Sequence, residues 1–379
     1  MNPENGGPCQ GIRNMIPALS GLDVVNEVLS FDAPDAAFLG KDNFVIHAIG
    51  PAKGPYAYCK NLKPWLLENL GRFDAVIIHG LWQYNSYGTY KAWKEFKRTN
   101  NKAPKLFVMP HGMLDPYFQR AKERRVKAVR NWLFWKLFEN KVINGATGVL
   151  FTCQEELLLA RETFRPYAPE NEINVGYGVQ QPPAFTEQMR EAFADKYPAK
   201  EPYLLFLSRI HHKKGVDILI KAYLEAKQNN TLPSLVIAGP GLDSAFGKEM
   251  QLLAGSGNNI YFPGMLSGNS KWGAFYGAEA FILPSHQENF GIAVVEALAC
   301  NKPALISDQV NIWREISNGN GGIIKKDTTE GVSAMLKEWA GMTPAQQNEM
   351  STGAGNVYLN NYIISQAALQ FYNAISKIV

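Results

Sequence analysis

The 379-residue sequence has no apolar run approaching the roughly 18–20 residues of a membrane-spanning helix. Its first eleven residues, rich in Gly and Asn, lack the apolar centre of a secretory signal. Cysteine is scarce. The four that occur, Cys9, Cys59, Cys153 and Cys300, are far apart and form no CxxC, which disfavours a disulfide framework or a zinc site and fits reduced cytoplasmic thiols. An excess of one charge is also missing. With 38 basic and 34 acidic residues the formal net charge is +4, too little to argue for a nucleic-acid partner. No repeat and no low-complexity tract interrupts the chain. GxxxxGK[ST], HExxH and GxSxG are absent, and Gly239-Pro240-Gly241 lacks the third glycine of a dinucleotide fingerprint. There is no DxD to hold a divalent ion on a diphosphate.

What is present is ordinary globular composition, 46% apolar and 19% charged, in a length that suits two or three domains. Strand-like and helix-like segments alternate almost throughout. Phe44–Ile49, Ala75–His79, Lys105–Met109 and Gly148–Thr152 read as strands, with helices at Tyr87–Arg98 and Arg124–Asn140 between them. This is the βαβ rhythm of a parallel sheet covered by helices. It breaks at Tyr177–Pro202, rich in Gly and Pro, and then restarts. Tyr203–Leu207, Ser234–Ala238, Ile260–Phe262, Ala280–Leu283 and Pro303–Ile306 read as strands and Val216–Lys227 as a helix. Val357–Val379 reads as one or two closing amphipathic helices. The predicted domains are 1–180, 181–355 and a closing segment 356–379.

Three patterns carry chemistry. In YLLFLSRIHHKKG (203–215) a strand ends at Ser208 and is followed by Arg209, Lys213, Lys214 and a helix-opening Gly215. The carboxyl edge of a parallel sheet is where α/β folds bind ligands, so these cations suit an anion; a solvated basic loop is the plainer alternative. In PSHQENFGIAVVEALAC (284–300) a strand leads through Glu288 into a helix that starts near Asn289–Gly291. Its first amides favour phosphate, and Gly291 lets the backbone approach a ligand closely. Glu288 and Glu296 can face one crevice and hold different hydroxyls, or be a helix-starting acid and an exposed glutamate. In VMPHGMLD (108–115) a strand ends at His111-Gly112, an arrangement repeated at His79-Gly80. A histidine so placed can hydrogen-bond a substrate or be structural.

SRIHHKKG, IAGPG, YFPGMLS and ENFGIAVVE follow one another in an order and spacing that resembles the retaining, GT-B-fold glycosyltransferases of family 4. The resemblance covers nearly the whole chain and is strongest over 203–324. It implies two Rossmann-like α/β/α domains facing each other across a cleft, with the C-terminal helix returning to the first. It implies a hexose, glucose as best guess, moved from a UDP-sugar to a saccharide or lipid-linked acceptor in polysaccharide biosynthesis. The nucleotide sugar is a co-substrate; no further cofactor and no metal is implied. By the same resemblance Arg209 and Lys214 bind the diphosphate, and Glu288 and the backbone of Asn289, Phe290 and Gly291 hold sugar and phosphate. Glu296 takes the ribose hydroxyls, Gly264 and Met265 lie near the base, and His111 reaches the sugar near the reacting carbon. Gly6 and Gly7 look like the family's N-terminal glycine loop. The strand that normally precedes such a loop is not there, so either the natural chain starts ahead of Met1 or the pair is plain loop.

Residues 119–141 hold eight basic and two acidic residues among aromatics. Val126, Val129, Leu133 and Leu137 are expected to form a buried stripe while the cations snorkel. The competing reading is a membrane-surface helix or a site for a lipid-linked acceptor, which would bring a cytoplasmic protein to the inner membrane face. Two alternatives to the transferase remain. A catalytically silent nucleotide-sugar-binding or scaffold protein on the same fold is disfavoured by the intact Arg209, Lys214, Glu288 and Glu296. A same-fold epimerase or phosphorylase is the other; a phosphorylase would need a pyridoxal-phosphate lysine setting, and none is apparent.

Overall fold

The computed structural model describes residues 1–2, 7–121, 124–197, 202–228 and 232–379. The chain divides into two compact units, one made of Met1–Gly178 with Ile364–Val379 and the other of Val179–Ile363.

The first unit holds β1 (Glu27–Ser30) paired in parallel with β2 (Val45–Ala48), and a separate parallel sheet of β3 (Ala75–His79), β4 (Lys105–Met109), β5 (Gly148–Phe151) and β6 (Glu172–Asn174). β4 and β5 are apolar along nearly their whole length because helices cover both faces of a parallel sheet; Leu106, Val108, Val149 and Phe151 are fully buried. An apolar cavity of about 440 Å³ is lined by both β1 and β3, among others through Val28 and Ile77. Gly7 opens the helix Gly7–Ser20 directly, so it is not in a loop; Gly6 lies outside the described residues. The helix Ile364–Ser376 belongs to this unit. Gly178 packs against Ile364 and Ala367, and the Gln370 amide donates to the Asn174 carbonyl at 3.2 Å.

The basic segment corrects the expectation of a buried stripe. It runs as the helix Arg125–Phe134, a π-helical turn Trp135–Glu139 and the helix Asn140–Gly145. Its inward face carries Ala128, Asn131, Trp135 and Glu139, whereas Val126, Val129, Leu133 and Leu137 are exposed. Polar anchoring sets the rotation: the Glu139 carboxylate accepts from Ser86 Oγ at 2.5 Å and from the Trp82 amide at 2.9 Å. A buried carboxylate without these donors would cost more than four solvent-exposed aliphatic side chains do.

The second unit is one six-stranded parallel sheet of β7 (Tyr203–Leu207), β8 (Ser234–Ala238), β9 (Ile260–Gly264), β10 (Ala280–Leu283), β11 (Ala304–Ser307) and β12 (Gly322–Lys325). Its order is β12-β11-β10-β7-β8-β9. The chain therefore winds one way from β7 and then the other way from β10, the doubly wound order of a Rossmann-like domain, and the reversal lies between β7 and β10. β8, β10 and β11 are buried from end to end. The last long helix, Pro344–Asn361, is started by a Thr343/Gln346 capping box and ends where the Val179 amide donates to the Tyr362 carbonyl at 2.9 Å.

Candidate active site

In the second unit, the loops after β7 and β10 leave adjacent strands at the point of reversal, the place where open α/β sheets bind ligands. After β7 the chain makes a short 3-10 turn, His212–Lys214, started by the His211 ring, which accepts from the Lys213 amide at 3.1 Å. Gly215 ends the turn with φ +68°; a Cβ there would collide with the Pro284 carbonyl oxygen. This close approach sets the two loops side by side, and the His286 amide donates to the Lys213 carbonyl at 2.9 Å. Lys214, almost fully buried, then forms an ion pair with Glu288. Burial pushes the Glu288 carboxyl up, but the attraction of Lys214 and Lys213, the Lys214 hydrogen bond and the Asn289 amide outweigh it and hold the group below its ordinary value. Glu288 is thus a carboxylate at neutral pH. Arg209 leaves the same strand end but is exposed.

The loop after β10 is pinned by its backbone. The Glu288 amide donates to the Gln309 carbonyl, and the Asn311 amide donates to the Glu288 carbonyl, each at 2.9 Å. Asn289 accepts from the Asn311 side chain at 3.4 Å, and Phe290 is buried edge-on to Tyr362. Gly291, at φ +76°, starts the helix Ile292–Ala299. Glu296, one turn on, is not free: Lys271 Nζ lies 2.6 Å from its carboxylate. Burial raises the Glu296 carboxyl against the pull of Lys271. Gly264 ends β9 at φ +76° with nothing within 4 Å of where a Cβ would stand, and Met265 beside it is exposed. The fold therefore brings Lys214, Glu288, Asn289 and Gly291 together. Gly264 ends β9, the edge strand of the same sheet, and Met265 follows it.

His111 belongs to the first unit, at the end of β4. Its Nε2 lies 2.9 Å from His79 Nδ1, and both rings line the 440 Å³ cavity. One nitrogen donates and the other accepts, so at least the accepting ring is neutral. Burial lowers His79 to about 4; burial and the neighbouring His79 lower His111 to about 3. His111 and Trp82 are both in the left-handed region, at φ +53° and +74°, a conformation non-glycine residues keep only when their surroundings hold it. Two buried glutamates do the holding. Glu139 accepts from the Trp82 amide, and Glu156 accepts from the Gly112 amide at 2.5 Å and the Thr152 amide at 2.8 Å.

Lys271, Glu139 and Glu156 escape sequence reasoning, because Lys271 and Glu139 meet their partners 25 or more residues away and Glu156 reaches the Gly112 amide 44 residues away. Their only local mark is a charged residue on an otherwise inward helix face. A further set, His212, Asp217 and His286, brings potential ligand atoms within 4.8 Å of one another among the described residues, with His286 Nδ1 already 2.9 Å from Asp327. No CxxC-like spacing marks it in the sequence.

Residues 188–350 match the family described as glycosyl transferases group 1. That match contains the whole arrangement around Lys214 and Glu288. Over these residues the chain is similar to the glycosyl transferases group 1 family. Curated relatives include an alpha-D-kanosaminyltransferase of Streptomyces kanamyceticus, 24% identical over 202 residues, and a D-inositol 3-phosphate glycosyltransferase of an Arthrobacter species, 27% identical over 175. These alignments take in 49% and 45% of this chain, and 49% and 39% of the relatives' own lengths. Among solved structures, HepE of Anabaena in complex with UDP and glucose superposes with a TM-score of 0.73 over 98% of this chain and 96% of that one, at 15% identity. Sucrose-phosphate synthase of Thermosynechococcus elongatus gives 0.72 over 98% and 94%, at 16% identity. The fold is that of the GT-B glycosyltransferases, with two Rossmann-like domains.

Proposed function

We propose that the chain is a retaining glycosyltransferase of family 4. It moves a hexose, with glucose the first candidate, from a nucleoside diphosphate sugar, with UDP the first candidate, to a saccharide or lipid-linked saccharide in cytoplasmic polysaccharide assembly. The observation that carries this reading is the buried Lys214–Glu288 pair at the β7/β10 reversal, beside the left-handed Gly291 and the helix it opens. Arg209, Lys214 and the first amides of that helix neutralise the diphosphate as it leaves, which is the main electrostatic task when a departing group carries charge away. Glu288, kept ionised, accepts hydrogen bonds from sugar hydroxyls, and the backbone of Asn289 and Phe290 lines the same loop. Glu296 accepts from the ribose, sharing its carboxylate with Lys271. Gly264 leaves open space near the base and Met265 flanks it. His111 is the candidate hydrogen-bonding residue of the first unit, and Gly7 and Gly6 stay assigned to the diphosphate by resemblance alone.

Retention follows if the acceptor oxygen attacks from the side the diphosphate leaves. The new carbon–oxygen bond forms as the carbon–phosphate-oxygen bond breaks, and the acceptor proton passes to the leaving phosphate oxygen. Side chains supply the positive charge in this reading, so EDTA is expected to leave turnover unchanged. The Anabaena relative in fold, solved with UDP and glucose, supports the choice of donor. A thermal-shift screen of UDP-, GDP- and ADP-sugars tests the reading, since a ligand that binds only the native state raises its melting point. A rise with one nucleotide series, UDP first, is expected. No rise with any of them contradicts it.

A further inference from the structure

We infer that the outward face of residues 124–141 is a docking surface for an anionic lipid bilayer. Val126, Val129, Trp132, Leu133 and Leu137 are exposed by 86%, 60%, 51%, 46% and 54%. Five large apolar side chains in twelve positions form a patch, whereas singly scattered ones need no explanation. At about 100° per residue, Val126, Val129 and Leu133 of the α-helix fall within roughly 60° of one another, with Trp132 on one flank, and the exposed Leu137 follows on the π-helical turn. The opposite side carries the buried Ala128, Asn131, Trp135 and Glu139 and is anchored by the Glu139 hydrogen bonds. The helix therefore cannot roll its apolar ridge inward without breaking those bonds.

Charge selects the occupant. Arg125 and Lys136 border the ridge on the Trp132 side, and Arg130 and Lys127 border it on the other. Lys136 Nζ sits 5.8 Å from the Trp132 ring centroid, and Lys141 extends the basic border. Glu139, the one acid among residues 124–141, is fully buried, so within this described segment no exposed carboxylate repels an anionic headgroup. An apolar ridge between two rows of cations, with tryptophan at its edge, fits a bilayer interface: the ridge enters the acyl boundary while the cations reach phosphates. A second copy of the chain fits poorly, because a two-fold contact would set the same cations against each other. The inference does not depend on the glycosyltransferase reading. Where both hold, the surface brings the protein to a lipid-linked acceptor.

The test is co-sedimentation of the full chain with phosphatidylcholine vesicles, with and without phosphatidylglycerol. Binding is expected only with phosphatidylglycerol and is expected to weaken as salt rises, because screening shortens the reach of surface charge. Leu133→Ser with Val129→Ser, and separately Lys127→Glu with Arg130→Glu, should each reduce vesicle binding by about tenfold or more. All four positions are exposed, so the melting temperature and any donor-induced thermal shift should stay as in the parent chain. Absence of pelleting, binding indifferent to phosphatidylglycerol, or unchanged binding by both double variants overturns the inference. A concentration-dependent dimer abolished by the Leu133→Ser variant also overturns it, because it assigns the ridge to a second copy.

Discussion

Removing one partner of the Lys214–Glu288 pair leaves the other charge buried, which costs about 3–5 kcal/mol. Lys214→Ala is therefore expected to melt earlier as well as to lose turnover, by about 10²-fold or more if the lost contact acts on the departing diphosphate. The double variant Lys214→Met, Glu288→Leu separates the two effects. Stability should return toward the parent value while turnover stays low. Parent-like turnover in the double variant contradicts the site. The histidine pair predicts a pH response. His79 and His111 drop from an ordinary 6.5 to about 4 and about 3. Below 6.5 the unfolded chain binds protons that the folded chain does not, so stability falls on acidification from about 6.5 through about 4, by up to about 1.4 kcal/mol per pH unit for each ring. Glu139, raised to about 7 by burial, works the other way, since its folded form holds a proton between 4.5 and 7. Two histidines outweigh one glutamate, and chemical denaturation of His79→Gln across this range should show a shallower acid limb than the parent. At this scale Lys214, Glu288 and Gly291 are legible because they lie in two compact sequence patterns. The Glu296–Lys271 bond and the Glu156 anchor are not, because only the folded chain brings their partners together.

Among the elements, the β7 and β10 loops depend on one close approach. Gly215→Ala adds a Cβ against the Pro284 carbonyl and asks alanine to hold φ +68°. A loss of about 1–3 kcal/mol is expected, read as a lower denaturation midpoint, together with weaker donor binding as the Lys214 loop shifts. An unchanged midpoint means the loops are not braced at this contact. β3, β4, β7, β8 and β10 are legible to the residue, because each is a short, mostly apolar run between turn signals. β1, β6 and β12 are not. They are three or four residues long and carry polar ends, as in Glu172–Asn174. The rotation of the basic helix is misread for a related reason. Periodicity finds an aliphatic stripe but does not tell which face is inward when a buried hydrogen-bonded glutamate competes with four aliphatic side chains.

For the whole molecule, the alternation of strands and helices and its interruption near 177–202 are enough to anticipate two α/β halves. The doubly wound order of the second, β12-β11-β10-β7-β8-β9, emerges only from the folded sheet. That order turns two separate sequence patterns into one site, because β7 and β10 are 76 residues apart at Leu204 and Ala280 yet hydrogen-bonded neighbours. The central claim is that a nucleoside diphosphate binds at this edge through Arg209 and Lys214. Calorimetric titration of UDP into the parent chain and Arg209→Ala tests it most directly, since Arg209 is exposed and its loss leaves the fold intact. Stoichiometric binding by the parent, weakened about tenfold or more in Arg209→Ala at an unchanged melting temperature, is the expected result. Equal UDP affinity in the two proteins, or no binding of UDP, GDP or ADP by the parent, contradicts the account.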